Sequence, residues 1–305
     1  MEYILRTIGV SKKYHSKMVL NKVNMNIARG DIYGFVGENG SGKTTIIRII
    51  TGLISASEGE IELFGIPSHA TNIEAARKKV GAIVESPSIY RNMTARENLE
   101  MQAMILGIKD SEKIEQTLSD VGLLYLLEDK KKAKNFSLGM RQRLGIAMAL
   151  LGDPEFIILD EPMNGLDPAG IVEVRELILR LNRERNITFL ISSHILTELS
   201  LVANKYGIIS RGTLIKEIYA DELNNEIQPT IVIEASDPAA LYNVISEDVS
   251  TEKLTLNDNG VRIAENVDLN KILNKILSAK IEILSINCNK SNIEGYYLSL
   301  MGGKK

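Results

Sequence analysis

Cysteine is almost absent from this chain: Cys288 is the only one in 305 residues. A single thiol excludes an intramolecular disulfide and a cysteine-rich zinc site, and it fits a reducing, cytosolic compartment. An excess of one charge is missing too. The 36 basic and 39 acidic residues leave a formal net charge of −3, so composition offers no polycationic surface and no support for nucleic-acid binding. The densest basic run, Lys130-Lys131-Lys132-Ala133-Lys134, reads as a solvated helix end or loop. No apolar run approaches the ~18 residues that span a bilayer. The opening Met1-Glu2-Tyr3-Ile4-Leu5-Arg6 also lacks the basic-then-apolar pattern of a secretion signal. Work at a membrane would have to use another protein's helices. No internal repeat is found.

What is present is an ordinary composition, 44% apolar and 25% charged, long enough for one large domain or two smaller ones. Within it, Gly37-Glu38-Asn39-Gly40-Ser41-Gly42-Lys43-Thr44-Thr45 spells a phosphate-binding loop in full. At average residue usage a chain of this length shows that pattern by accident roughly once in a hundred. The glycines let backbone N–H groups turn inward around a phosphate, Lys43 neutralises charge, and the Thr44 hydroxyl suits Mg²⁺. Gly37, Asn39, Gly40, Ser41, Gly42, Lys43, Thr44 and Thr45 are therefore candidate contacts to a nucleoside triphosphate. The flanks agree, since Ile32 to Val36 reads as a buried strand and Thr45 to Ile50 as the helix that follows it.

From Val80 to Ser210 short apolar runs alternate with longer helical patterns, as in a mostly parallel sheet covered by helices. The clearest strands are Gly81 to Val84, Phe156 to Leu159, Ile187 to Ile191 and Tyr206 to Ile209, apolar enough to be buried on both faces. Residues 1 to 30 carry shorter, more polar strand candidates such as Val19 to Ile27, consistent with a small antiparallel sheet. Thr94 to Leu150 is helical almost throughout, which suggests an inserted helical subdomain over about 86–150. A boundary falls near Asp221 to Pro229, after the strand pair Tyr206 to Ile209 and Thr213 to Lys216. Residues 230 to 305 then read β-α-β-β-α-β, the order of a small ferredoxin-like domain.

Phe156-Ile157-Ile158-Leu159-Asp160-Glu161-Pro162 is an apolar strand ending in two carboxylates, where a parallel sheet delivers catalytic groups to a ligand. Asp160 is placed to hold Mg²⁺, and Glu161 to act as general base toward a water attacking the γ-phosphate. Phe136-Ser137-Leu138-Gly139-Met140-Arg141-Gln142-Arg143 precedes the helical run Leu144 to Leu151. Ser137 can cap that helix and leave backbone N–H groups facing a ligand.

Over residues 1 to about 220 the order of these motifs resembles the ATP-binding subunit of an ATP-binding-cassette (ABC) transporter. The resemblance implies a P-loop α/β fold with antiparallel and helical subdomains, ATP and Mg²⁺ as ligands, and ATP hydrolysis coupled to transport through membrane-spanning permease subunits. No nucleic-acid partner is expected, and the place of work is the cytoplasmic face of the membrane. Ser137 to Met140 is similar to the family's signature, with Leu138 and Met140 departing from the usual glycine and glutamine. By that likeness Ser137 and Gly139 contact the γ-phosphate of ATP on the opposite subunit, so two copies sandwich two nucleotides. Asp167, in Asn164-Gly165-Leu166-Asp167-Pro168, resembles the interface residue. His194 resembles the switch histidine on the γ-phosphate, and Tyr14 the aromatic that stacks on adenine. Tyr90, Met93 and Leu99 are candidates for a groove that receives the permease, or else core.

Val84-Glu85-Ser86-Pro87 departs from the family most informatively. Most transporter ATPases carry glutamine at Glu85, in the loop that joins Mg²⁺, attacking water and membrane partner. A carboxylate accepts hydrogen bonds without donating them and adds negative charge near a triphosphate, so Glu85 should depend more strongly on Mg²⁺ as metal ligand and catalytic residue. Glutamate here resembles bacterial transporter ATPases that give self-protection against lantibiotics, and the rest of the chain is similar to bacitracin-type export ATPases. Other classes remain open. A soluble member acting on ribosomes or nucleic acid normally carries two cassettes or long coiled-coil or zinc insertions, which are lacking here. A drug-sensing complex would need a ligand motif in residues 230 to 305, and none is recognisable.

Overall fold

In a computed structural model that describes residues 2–226, 230–264, 267–289, 296 and 300, the chain opens with a long hairpin. Strands β1 (Tyr3–Tyr14) and β2 (Lys17–Ala28) pair antiparallel, closing at Tyr14 and Lys17. Each has 12 residues, longer than the short strands that their polar character suggests. The reason is that polar residues inside the hairpin serve its irregular register rather than end it. Buried Thr7 donates to the Val23 carbonyl at 3.0 Å and accepts from the Met25 N–H at 2.8 Å, and Ser11 accepts from the Lys22 N–H at 3.0 Å. The chain then enters β3 (Ile32–Val36), the glycine-rich loop and α1 (Lys43–Ile50). Strands β4 (Glu58–Leu63) and β5 (Ile66–Pro67) complete the first sheet in the order β2-β1-β4-β5. Leu5, Leu20, Met25, Ile27, Ile61 and Leu63 point into its core.

After α2 (Ile73–Arg77) and β6 (Val80–Ile83) comes the helical stretch α3 (Ala95–Leu106), α4 (Glu112–Asp120) and α5 (Leu138–Leu150). A capping box starts α3, with the Glu97 N–H on Thr94 Oγ1 at 3.2 Å and the Thr94 N–H on Glu97 Oε2 at 2.7 Å. The basic run is loop and a short turn, as its composition suggests, and Lys132 reaches back to Glu97 at 3.0 Å. Strand β7 (Phe156–Asp160), helix α6 (Pro168–Arg185), strand β8 (Thr188–Ser193), helix α7 (Leu196–Leu199) and strands β9 (Lys205–Ser210) and β10 (Thr213–Tyr219) follow. The second sheet has the order β10-β9-β3-β8-β7-β6. Only β10 runs antiparallel to its neighbour. Every residue of β3, β7 and β8 is buried, which explains their near-continuous apolar runs.

Contacts divide the chain into two compact units, Met1–Ala220 and Asp221–Lys305. The second holds α8 (Ala220–Glu226) at its start, then β11 (Thr230–Ala235), α9 (Pro238–Ile245), β12 (Leu254–Asn257), β13 (Gly260–Ile263), α10 (Leu269–Ser278) and β14 (Ile283–Asn289). Its sheet is antiparallel with the order β12-β13-β11-β14. Ile233, Leu241, Ile245, Val261, Ile263 and Ile276 form a separate core. Among the described residues no helix is long and apolar enough to cross a membrane.

Candidate functional site

Parallel pairing brings four strand ends to one edge of the second sheet. Val36 lies beside Ser193, Asp160 beside Ser192, and Ile83 beside Leu159. The glycine-rich loop, the Asp160-Glu161 pair, His194 and Glu85 therefore all emerge at the same edge, where ligands of such sheets bind.

The loop is shaped by close approach. A side chain at Gly37 would meet Ser41 Oγ at 2.5 Å and the Ile209 carbonyl at 2.6 Å. Gly42 has a left-handed φ of 109°, and a side chain there would strike Leu20 at 2.6 Å. No side chain caps α1, so its first N–H groups are free for an anion. The Ser41 hydroxyl is buried without a partner among the described residues. Lys43, 6% exposed, folds back onto the loop, with Nζ donating to Gly37 O at 2.6 Å and lying 3.3 Å from Glu161 Oε1.

At the ends of β7 and β8 the polar groups interlock. Thr44 Oγ1 donates to Asp160 Oδ2 at 2.9 Å, and Ser192 Oγ donates to Asp160 Oδ1 at 2.6 Å. Ser192 Oγ also accepts from the Glu161 N–H at 2.9 Å, which fixes Glu161 in a left-handed backbone with φ 50°. The Glu161 carboxylate then lies between Lys43 and His194, whose Nδ1 is 2.8 Å from Oε2. Behind this pair, burial raises the Glu198 carboxyl above its usual range; His194 opposes that shift and Glu161 adds to it. Loop, carboxylate and imidazole enclose a cleft of about 450 Å³ lined by Val19, Asn39, Gly40, Lys43, Thr44, Thr45, Glu161, Asn164 and His194, among others. A polyphosphate would find free N–H donors, a cation and a carboxylate poised over its end.

Other expected residues lie elsewhere. Tyr14, 42% exposed at the hairpin tip, is not in that lining, and Val19 is. The Glu85 carboxylate is also outside it and pairs with Arg48 at 2.5 Å. Ser137 caps α5, accepting from the Met140 N–H at 3.1 Å, and Asp167 caps α6, accepting from the Gly170 N–H at 3.2 Å. A Cβ added at Gly139 would lie 4.0 Å from Gly170 Cα, so the two helix starts are neighbours. Neither Ser137, Gly139 nor Asp167 lines the cleft. Leu99 is fully buried, so it belongs to the core and not to a groove surface, whereas Tyr90 is exposed. The sequence reading missed Ser192, Asn164, Val19 and Arg48. Ser192 had a signal, because it stands beside Asp160 once the two apolar strands are paired.

The family model for "ABC transporter" matches residues 20–164. The chain is 41% identical over 305 residues to the bacitracin transport ATP-binding protein BcrA of Bacillus licheniformis, covering 99% of each. It is 42% identical over 222 residues to the lantibiotic transport ATP-binding protein SrtF of Streptococcus pyogenes, covering 73% of this chain and 93% of that one. Among solved structures, cbiO1 of Clostridium perfringens, part of the ABC transporter complex cbiONQ, superposes with a TM-score of 0.67 at 26% identity over 74% of this chain and 92% of its own.

Proposed function

Because the chain belongs to the ATP-binding proteins of ABC transporters, we propose that it hydrolyses ATP in this cleft to drive export of a peptide antibiotic through membrane-spanning partner subunits. The names of its bacitracin- and lantibiotic-transport relatives support the cargo class. A single observation carries the chemistry: the Glu161 carboxylate is suspended between Lys43 and His194 at the mouth of a phosphate-binding loop.

In this reading Glu161 accepts the proton of the attacking water, and His194 holds that carboxylate while contacting the γ-phosphate. Lys43 exchanges its loop carbonyl for phosphate oxygens, and the N–H groups at the start of α1 cradle the β-phosphate. Water adds to the γ-phosphorus, the bond to the β-γ bridging oxygen breaks, and ADP and phosphate leave. Thr44 and Asp160 present oxygen donors 2.9 Å apart, a donor set suited to a hard cation such as Mg²⁺. Mg²⁺ bound there would neutralise charge on the β- and γ-phosphates. Glu85 and Tyr14 lie outside the lining; in this reading nucleotide binding brings Glu85 to the cation end and Tyr14 to the adenine.

Ser137 and Gly139 stand outside the cleft of their own chain, which supports a homodimer in which they reach the ATP of the second copy, with Asp167 at the interface. Nucleotide closes the pair and hydrolysis reopens it. Residues 221–305 form an accessory domain in this reading, ferredoxin-like in its strand order. The ATPase works at the cytoplasmic face of the membrane, held there by its permease.

Glu161→Gln should lower steady-state hydrolysis at least about 100-fold with ATP affinity kept; retained turnover overturns the general-base assignment. The cargo is tested by ATP-dependent uptake of labelled bacitracin or a lantibiotic into inverted vesicles that carry the complete complex. Failure of both to accumulate removes the antibiotic-export reading.

A further inference from the structure

Glu85 reaches the catalytic edge of the sheet by register. Strands β6 and β7 are parallel with Ile83 beside Leu159, so Glu85, two residues past that pair, emerges at the same edge as Glu161. Its carboxylate does not enter the cleft. It meets the guanidinium of Arg48, which lies four residues beyond Thr44 on α1 and hence on the same face, one turn away from the loop. The first turns of α1 thus hold two carboxylates in sequence, Asp160 through Thr44 at 2.9 Å and Glu85 through Arg48 at 2.5 Å.

Two properties suit the second of these contacts to exchange. Arg48 and Glu85 are 39% and 60% exposed, and an ion pair so open to water contributes little to stability. Glu85 also has a left-handed φ of 64°, a strained conformation for a residue with a side chain. An unpaired carboxylate here would repel a bare triphosphate, whereas the same carboxylate would attract a divalent cation. We propose that Arg48 is a positioning residue that holds Glu85 off the cation end of the cleft until metal arrives, so that the Arg48–Glu85 pair sets how strongly ATP binding depends on Mg²⁺. The inference rests on the reading of Thr44 and Asp160 as the cation end.

The test measures the affinity of a fluorescent ATP analogue for the full chain in EDTA and in excess Mg²⁺, taking the ratio as the magnesium gain. Arg48→Met should raise that gain about tenfold, mostly by weakening binding in EDTA, and Arg48→Lys should stay within about twofold of the parent. In a Glu85→Gln background Arg48→Met should change nothing. A gain unmoved by Arg48→Met, or moved equally with Glu85→Gln present, overturns the proposal and makes the pair a surface contact only. Thermal melting of each variant separates these results from misfolding, and Asp160→Asn identifies which premise has failed. If Asp160→Asn leaves the gain intact, the cation is bound elsewhere and the cation-end reading falls, taking the proposal with it. If Asp160→Asn abolishes the gain and Arg48→Met leaves it unmoved, the inference alone falls.

Discussion

Ser192 holds two functional neighbours with one hydroxyl, donating to Asp160 and accepting from the Glu161 N–H. Because it is fully buried, Ser192→Ala strands an Asp160 oxygen, and urea unfolding should show a loss of about 1–3 kcal/mol. Hydrolysis should fall by about tenfold or more in protein that is still folded, since both carboxylates lose their alignment. An unchanged kcat would mean that strand geometry alone positions them. Lys43, Thr44, Asp160, Glu161 and His194 were legible as candidates because each sits in a local pattern, and the structure brings the five side chains together at one edge of the sheet. Ser192 and Arg48 were not. Their importance lies in partners 32 and 37 residues away, which leave no mark in local sequence; Ser192 shows only once the two apolar strands are paired, and Arg48 not at all.

At the scale of elements, β7, β8 and β9 were readable because burial on both faces leaves an apolar run that nothing else explains. Strands β1 and β4 were not, since exposed polar residues such as Lys13 and Glu58 interrupt their apolar pattern and bulges break its alternation. Helix α5 begins at Leu138, six positions before its apolar run, because Ser137 supplies the cap. The cap of α3 carries a pH dependence. The Thr94 N–H, then Lys132, hold the Glu97 carboxyl below its ordinary value of 4.5. A depressed carboxylate stabilises the fold fully above 4.5 and loses that contribution as pH falls through its folded value. The melting temperature of the native chain should therefore exceed that of Glu97→Gln at neutral pH, with the advantage fading below 4.5. A difference constant down to strong acid would show that the box contributes nothing through its charge.

Among the described residues each compact unit has a hydrophobic core of its own, and the shift in pattern near Asp221 lies where contacts divide the chain. Association of copies, by contrast, has no periodic signal in sequence. Ser137 is exposed and caps a helix that borders no part of the loop's own pocket, which leaves it open to a second copy. In the proposed homodimer the phosphate loop of one chain and the N–H donors at Ser137 of the other would come together on binding nucleotide. Sedimentation of Glu161→Gln with Mg²⁺ and ATP tests this most directly. The proposed homodimer should form only with ATP and be lost when Ser137→Arg is added; a protein that binds ATP yet sediments as a monomer would rule it out.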